Sequence, residues 1–311
     1  RDIPLYLVNA RLSEKSHANY ARFPRLVRES LRGLTAIAAQ TREDAQRLRA
    51  LGAADIAVTG NLKFDILPPP AQVEVVALES SLGAWPEAAE VPQPLPGQLA
   101  ALLLGALATG RTRISGLLEA EDVLNTAKAV TALGAPAHKI GNAWEVVGRG
   151  VGGLKEPASA LDFGNSGTGT RLMMGVIAGH DMSVQFQGDA SLSRRPMSRV
   201  LKPLRQMGLE VVDEGKETLP LTIRGTSSLV PIEYALPVPS AQVKSAILFA
   251  GLAAAGETTV IEKEPTRDHS ERMMRYFGAE VRTEVKDGQT RITIKGDSEL
   301  SGQDVVVPGD P

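Results

Sequence analysis

Three Ala/Gly/Met-rich segments, Ala100–Leu107, Arg171–Ala178 and Ala241–Ala255, read as helices, and each is followed by a strand and then a polar loop opening a second helix. Those second helices end in a short glycine stop: Ala132-Leu133-Gly134-Ala135, Gln206-Met207-Gly208-Leu209 and Tyr276-Phe277-Gly278-Ala279. The stop glycines lie 74 and 70 residues apart. After each stop come a strand, a polar turn and a second strand ending at glycine: Trp144 to Gly148, Leu221 to Gly225, Ile292 to Gly296. The unit is helix–strand–helix–strand–strand, three times over. Periods this long with mixed elements predict packed supersecondary units sharing one core.

The first 67 residues carry a different pattern. Ile3–Val8, Leu34–Ala39 and Ile56–Val58 are short buried-strand runs, and the basic amphipathic segment Tyr20–Leu31 reads as a covering helix. Thr41 and Asp44 have capping-box spacing, and the helix they open runs to Leu51 and stops at Gly52. Strands alternating with helices predict a parallel α/β sheet. Residues 68–98, with Pro68-Pro69-Pro70 and Val91-Pro92-Gln93-Pro94-Leu95-Pro96-Gly97, read as a proline-rich linker. The expected organisation is therefore a partial α/β segment (1–67), a linker (68–98) and a repeat domain (99–311).

Composition narrows the chemistry. The net charge of −2 gives no electrostatic case for a nucleic-acid partner or an anionic membrane surface. There is no apolar run long enough to span a membrane and no signal peptide, so a cytoplasmic protein is expected. Zero Cys excludes disulfides, thiolate metal sites and cysteine nucleophiles, and no pair among the four His has metal-ligand spacing. No metal site is expected. The chain starts at Arg1 and stops in a strand-like run, so it reads as a piece of something longer.

Chemistry is best sought where the repeats open their helices. Asn165-Ser166-Gly167-Thr168-Gly169-Thr170 joins a short strand to an apolar helix. The stretch is either a capped strand-to-helix turn or a place where free N–H groups hold an anion. It lacks the Gly-Lys-Ser/Thr of a Walker loop and the third glycine of a dinucleotide fingerprint. The equivalent point of the third unit is Val238-Pro239-Ser240-Ala241-Gln242-Val243-Lys244-Ser245, with Ser240 at the N-cap. Asp189–Pro196 and Pro265–His269 open the other helices and carry Arg194, Arg195 and Arg267. Each arginine alone fits a surface ion pair or a helix cap. Four polar loops at equivalent repeat positions predict one electropositive end for a small anionic substrate. His269 reads as a capping or surface histidine, Met173, Met174, Met197, Met207, Met273 and Met274 as core, and Lys244 as either a ligand or a solvated face.

Two resemblances attach to these residues. Leu7–Ser13, Ile37–Thr41 and Val58–Asp65 resemble part of the first domain of the 3-deoxy-D-manno-octulosonic acid transferases, over residues 1–80. That resemblance implies a Rossmann-like fragment and, as one alternative, sugar transfer in lipid A biosynthesis. The family's nucleotide-sugar half and acidic catalytic residue have no counterpart here, so no such site is expected. Leu161–Gly175, Gly188–Met197, Val238–Ser245, Pro265–Glu271 and Pro308–Pro311 resemble the 5-enolpyruvylshikimate-3-phosphate synthase (3-phosphoshikimate 1-carboxyvinyltransferase) family. The resemblance runs from Leu102 to Pro311. It implies an inside-out α/β barrel-like domain of three βαβαββ repeats, transfer of enolpyruvyl from phosphoenolpyruvate to shikimate-3-phosphate, no cofactor, and a monomer when complete. A related transferase acting on UDP-N-acetylglucosamine uses a cysteine, which this chain lacks.

By the same resemblance Gly167 matches the glycine lining the phosphoenolpyruvate pocket, where a larger residue is associated with glyphosate tolerance. Arg195 matches the arginine that holds phosphoenolpyruvate. Ser240 and Ala241 match positions at the phosphate of shikimate-3-phosphate, Gln242 the glutamine over its ring, and Arg267 a further phosphate ligand. The chain departs from the family at Pro96-Gly97-Gln98-Leu99-Ala100-Ala101, which stands where the family has a Lys, a Ser and an Arg that grip both substrates. The family's catalytic Asp and Glu are expected beyond residue 311. An inactive piece is the expectation, and a non-catalytic fragment that binds shikimate-3-phosphate is the alternative.

Overall fold

The computed structural model describes residues 6–10, 20, 27–28, 31–32, 35–39, 41–54, 56–58, 89–90 and 95–307. The chain divides into two compact units, residues 1–82 and 83–311. In the first, strands β1 (Tyr6–Ala10), β2 (Ala36–Ala39) and β3 (Ile56–Val58) form a parallel sheet in the order β1-β2-β3. This is the parallel α/β pattern expected. Helix α1 (Arg42–Ala50) is opened by the predicted cap, the Thr41 hydroxyl accepting from the Asp44 N–H at 3.0 Å and donating to its carboxylate at 2.9 Å. Its buried residues Ala45 and Leu48 share a small core with Ile37 and Ala39. Of the expected helix Tyr20–Leu31, only residues 20, 27–28 and 31 are described, and all are helical.

The second unit repeats βαβαββ three times. The first repeat is β4 (Ala89–Glu90), α2 (Leu95–Leu107), β5 (Arg111–Ser115), α3 (Glu121–Ala132), β6 (Ala137–Ile140) and β7 (Ala143–Val147). The second is β8 (Leu161–Asp162), α4 (Gly167–Ala178), β9 (Ser183–Gln187), α5 (Ser198–Met207), β10 (Glu210–Val211) and β11 (Leu221–Arg224). The third is β12 (Glu233–Ala235), α6 (Ala241–Gly251), β13 (Glu257–Glu262), α7 (His269–Tyr276), β14 (Val281–Lys286) and β15 (Gln289–Lys295). Most of residues 68–98 lie outside the described residues, as do residues 308–311, and the described part of 68–98 carries β4 and the first turn of α2.

The repeats are equivalent in space as well as in sequence. The second and third sheets have the same order, β8-β9-β11-β10 and β12-β13-β15-β14, with a parallel first pair and antiparallel pairs after it. The first sheet adds β16 (Asp304–Val306) between β4 and β5, parallel to both. The three stop glycines, Gly134, Gly208 and Gly278, have φ of +88°, +115° and +104°, the left-handed conformation that ends a helix at little cost only in glycine. Gly148, Gly225 and Gly296 also match: a Cβ on any of them would lie 2.0 Å or less from a backbone carbonyl at the end of the repeat's first helix.

Helices lie inside and sheets outside. The first helix of each repeat is buried nearly all round: Leu99–Leu104 are fully buried in α2, as are Leu172–Ala178 of α4 and Val243–Gly251 of α6. A helix apolar on every side belongs in a core, and each fully buried leucine contributes roughly 1.5–3 kcal/mol. The second helices are amphipathic. In α5, Val200, Leu201, Leu204 and Met207 are buried while Arg199, Lys202 and Arg205 are exposed. The sheets alternate, as in β9, where Val184 and Phe186 face the core and Ser183, Gln185 and Gln187 face outward. One contiguous core holds all three repeats, including the six methionines expected there.

Candidate functional site

β8 delivers its chain to the start of α4 through a turn fixed at both ends. Phe163 is buried and stacks on Phe186 of β9, with ring centroids 5.8 Å apart. The Asp162 carboxylate accepts the Gly164 N–H at 2.8 Å. Ser166, fully buried, caps α4 by accepting the Gly169 N–H at 3.2 Å, an interaction worth about 1 kcal/mol. Gly167 is therefore the first helical residue. A Cβ placed on it would meet Arg171 Nη1 at 2.9 Å and Arg195 Nη1 at 3.2 Å, so the glycine keeps open the space between two guanidinium groups.

Arg195 is exposed and held from two sides. Its Nη2 donates to Asn165 Oδ1 at 2.6 Å and to Ser191 Oγ at 3.3 Å. Asn165 in turn donates to Asp189 Oδ2 at 2.8 Å. The Leu192 N–H, donating at 2.7 Å, is the main cause that holds the Asp189 carboxyl below its ordinary range. Ser240 caps α6, its hydroxyl accepting the Val243 N–H at 3.4 Å. Ala241 and Gln242 form the first turn behind it. Gln242 Nε2 donates to Thr168 Oγ1 at 2.8 Å, and Gln242 Oε1 accepts from Arg171 Nη1 at 3.1 Å. The starts of α4 and α6 therefore meet. A recess of about 190 Å³ lies beside Ser240, lined by Arg199, Lys202, Tyr234, Leu236 and Val243. The larger cavity, about 430 Å³, lies at the opposite ends of α4 and α6, around Gly179 and Ala253.

Of the six residues singled out from the sequence, Gly167, Arg195 and Gln242 converge around Arg171, and Ser240 and Ala241 share the helical turn of Gln242. Arg267 stands half-buried in the loop before α7 and is placed by another route. Lys244, one turn into α6, donates to the Thr266 carbonyl at 3.4 Å, and the Thr266 hydroxyl donates to Glu262 Oε1 at 2.5 Å. Lys244 is neither a ligand nor a solvated face. It is 1% exposed and pairs with Glu262 at 3.1 Å and Glu271 at 2.7 Å, each 2% exposed. A charge inside a core persists only when paired, and the Glu in the otherwise apolar end of β13 was the available signal. His269 is the first residue of α7 and half-buried; burial lowers its pKa. The first repeat does not contribute an equivalent start. There the Gln98 side chain, 3% exposed, accepts the Leu118 N–H at 2.9 Å, and Leu99 and Ala100 are fully buried.

Burial pulls the pKa of Arg171 down, and Arg195 and Arg199 add to the effect. Three guanidinium groups thus gather at two helix N-termini, an arrangement that favours an anion. Among the described residues no group of three or more His, Asp or Glu is placed to hold a metal ion, and no helix is long and apolar enough to cross a membrane.

Fold and site together define a class: an inside-out α/β domain of three βαβαββ repeats with cationic, hydroxyl-lined helix starts at one end. Residues 98–311 match the family model described as EPSP synthase (3-phosphoshikimate 1-carboxyvinyltransferase), and the chain belongs to that family. The 3-phosphoshikimate 1-carboxyvinyltransferase of Novosphingobium aromaticivorans is 58% identical over 212 residues, covering 68% of this chain and 48% of the relative. That of Bradyrhizobium diazoefficiens is 59% identical over 215 residues, covering 68% and 46%. An EPSP synthase structure from Acinetobacter baumannii superposes with a TM-score of 0.66 at 44% identity, covering 71% of this chain and 49% of that one. The chain thus spans about half the length of the relatives it matches. Residues 1–66 match the model for 3-deoxy-D-manno-octulosonic-acid transferase (kdotransferase).

Proposed function

We propose that residues 98–311 form the substrate-binding half of a cytoplasmic, monomeric enolpyruvyl transferase, which moves the enolpyruvyl group of phosphoenolpyruvate to the 5-hydroxyl of shikimate-3-phosphate and releases phosphate. The observation that supports this best is the convergence of Gly167, Arg195 and Gln242 at the adjoining starts of α4 and α6. In this reading Arg195 holds the carboxylate or phosphate of phosphoenolpyruvate in the space that Gly167 leaves open. Ser240, Ala241 and Arg267 take the phosphate of shikimate-3-phosphate, and Gln242 lies against its ring. Proton transfer needs a general acid and base in reach of the reacting atoms. Those carboxylates are assigned to the half of the family's length that this chain does not match. No reaction is proposed for residues 1–66.

The test is phosphate release from phosphoenolpyruvate plus shikimate-3-phosphate, by the chain alone and mixed with the second domain of an intact relative, alongside calorimetric titration of shikimate-3-phosphate. Binding by the chain and turnover only in the mixture are expected. Turnover by the chain alone would overturn the assignment of the carboxylates, and absence of binding would overturn the assignment of Ser240, Gln242 and Arg267.

A further inference from the structure

Arg171 is not among the residues assigned to a ligand above, yet it touches the starts of α4 and α6 and the loop that carries Arg195. Its Nη1 donates to the Gly167 carbonyl in the first turn of α4 at 2.9 Å and to Gln242 Oε1 in the first turn of α6 at 3.1 Å. Its Nη2 donates to the Pro196 carbonyl, next to Arg195, at 3.3 Å. These three acceptors belong to three separate stretches of chain. A guanidinium is a rigid planar fork with five donors, so one side chain can hold all three at fixed mutual angles; a lysine ammonium on a flexible stem cannot. Each of these acceptors is a neutral oxygen. The charge of Arg171 therefore adds to the field at the site.

The contact with Gln242 has a second consequence. An amide side chain presents a carbonyl at one edge and two N–H donors at the other, and coordinates alone rarely distinguish them. Arginine has no acceptor, so the edge facing Arg171 must be the carbonyl. The NH₂ group is then turned to Thr168, to which it donates at 2.8 Å, with one N–H remaining. A hydroxyl such as that of Thr168 can donate or accept, and by itself would not choose.

We infer that Arg171 is the positioning residue of this site: it bolts the starts of α4 and α6 to the Arg195 loop, and it sets the polarity of the Gln242 amide so that a donor is offered to the bound substrate. The inference rests on the reading of Gln242 and Arg195 as substrate-binding residues.

The test separates the two. Nitrogen-15 spectra of the unliganded chain report on the Gln242 side-chain amide and the Gly167 and Met197 backbone amides. In Arg171→Lys all three are expected to shift, whereas in Arg195→Lys the changes stay near Asn165 and Ser191. Changes in Arg171→Lys confined to α4 would overturn the inference whatever the chain binds. Titration with shikimate-3-phosphate forms the second arm. Arg171→Lys is expected to weaken binding at least tenfold, and to have less than a twofold further effect once Gln242 is already Leu, because Arg171 acts through that amide. Equal losses in both backgrounds would also overturn it. If wild-type chain binds no ligand while the spectra behave as expected, the substrate reading fails and the bolt stands. Should Arg171→Lys not fold, Gln242→Glu reads the same contact from the other side. Its carboxylate satisfies Arg171 but cannot donate, so a Gly167 backbone amide unchanged in the spectra, with unweakened binding, would count against the inference.

Discussion

Replacing Lys244 by methionine is the sharpest test of how the third repeat is held. The substitution keeps length and apolar stem and removes one ammonium, which is within 3.1 Å of Glu262, 2.7 Å of Glu271 and 3.4 Å of the Thr266 carbonyl. All three charged side chains are at most 2% exposed, so neither carboxylate can turn to water. Breaking a buried pair by removing one partner costs about 3–5 kcal/mol, because a charge is left uncompensated. Here two are left. Against a typical domain stability of about 5–15 kcal/mol the loss is large. It should shrink as pH falls, since protonated carboxyls need no counter-charge. The assay is urea unfolding at pH 7.5 and pH 5, followed by circular dichroism and by tryptophan fluorescence. The companion variant replaces all three residues with apolar ones of similar volume and should be within about 1 kcal/mol of wild type or more stable. A loss below about 1 kcal/mol for Lys244→Met, or an equal loss in the triple variant, would refute the claim that the ion cluster decides the cost.

Glu271 supplies a pH prediction of its own. Burial raises its pKa above the ordinary 4.5, with Lys244 opposing. The folded state therefore binds this proton more tightly than the unfolded chain, so the contribution to stability is complete below about pH 4.5 and is lost as pH rises through the folded value. Glu271→Gln should flatten that part of the stability-pH curve, and an unchanged slope would argue against it. Gly167→Ala places a Cβ against the tips of two flexible arginines, so stability should change by less than about 1 kcal/mol while affinity for phosphoenolpyruvate falls several-fold in titration. Gly175→Ala meets the Ala246 backbone carbonyl at 2.2 Å, where α4 crosses α6. Nothing flexible can yield there, and a loss of about 1–3 kcal/mol or more is expected in the same urea assay.

Much of this architecture can be read from the chain because it is written three times. A single Leu-Gly-Ala end would be one helix stop among many, but Gly134, Gly208 and Gly278 recur in register with Gly148, Gly225 and Gly296, and each set proves to serve one physical need. The caps at Thr41 and Ser240 are equally legible, since a hydroxyl before a helix has a local partner. What the sequence hides are the long-range pairings. Lys244 reads ambiguously because its partners lie 18 and 27 positions away on β13 and α7, and the choice between solvent and core depends on them. Arg171 was visible at the end of the glycine-rich stretch, but its acceptors on Gln242 and Pro196 are 71 and 25 positions distant.

The position of the first repeat's departure bears on what the fold retains without the full site. Gln98, Leu99 and Ala100 fill the start of α2 with side chains that satisfy the core: one amide oxygen on the Leu118 N–H, the rest apolar and buried. Stability asks only for that. An anion site asks instead for charge and free donors at the same helix start, which the second and third repeats supply and the first does not. The packing of α2 against α4 therefore persists while one third of the helix starts offers a ligand nothing. Binding should then depend on the starts of α4 and α6 together with the Arg195 and Arg267 loops, and substitutions at Arg171, Gln242 or Ser240 should each weaken it at least tenfold.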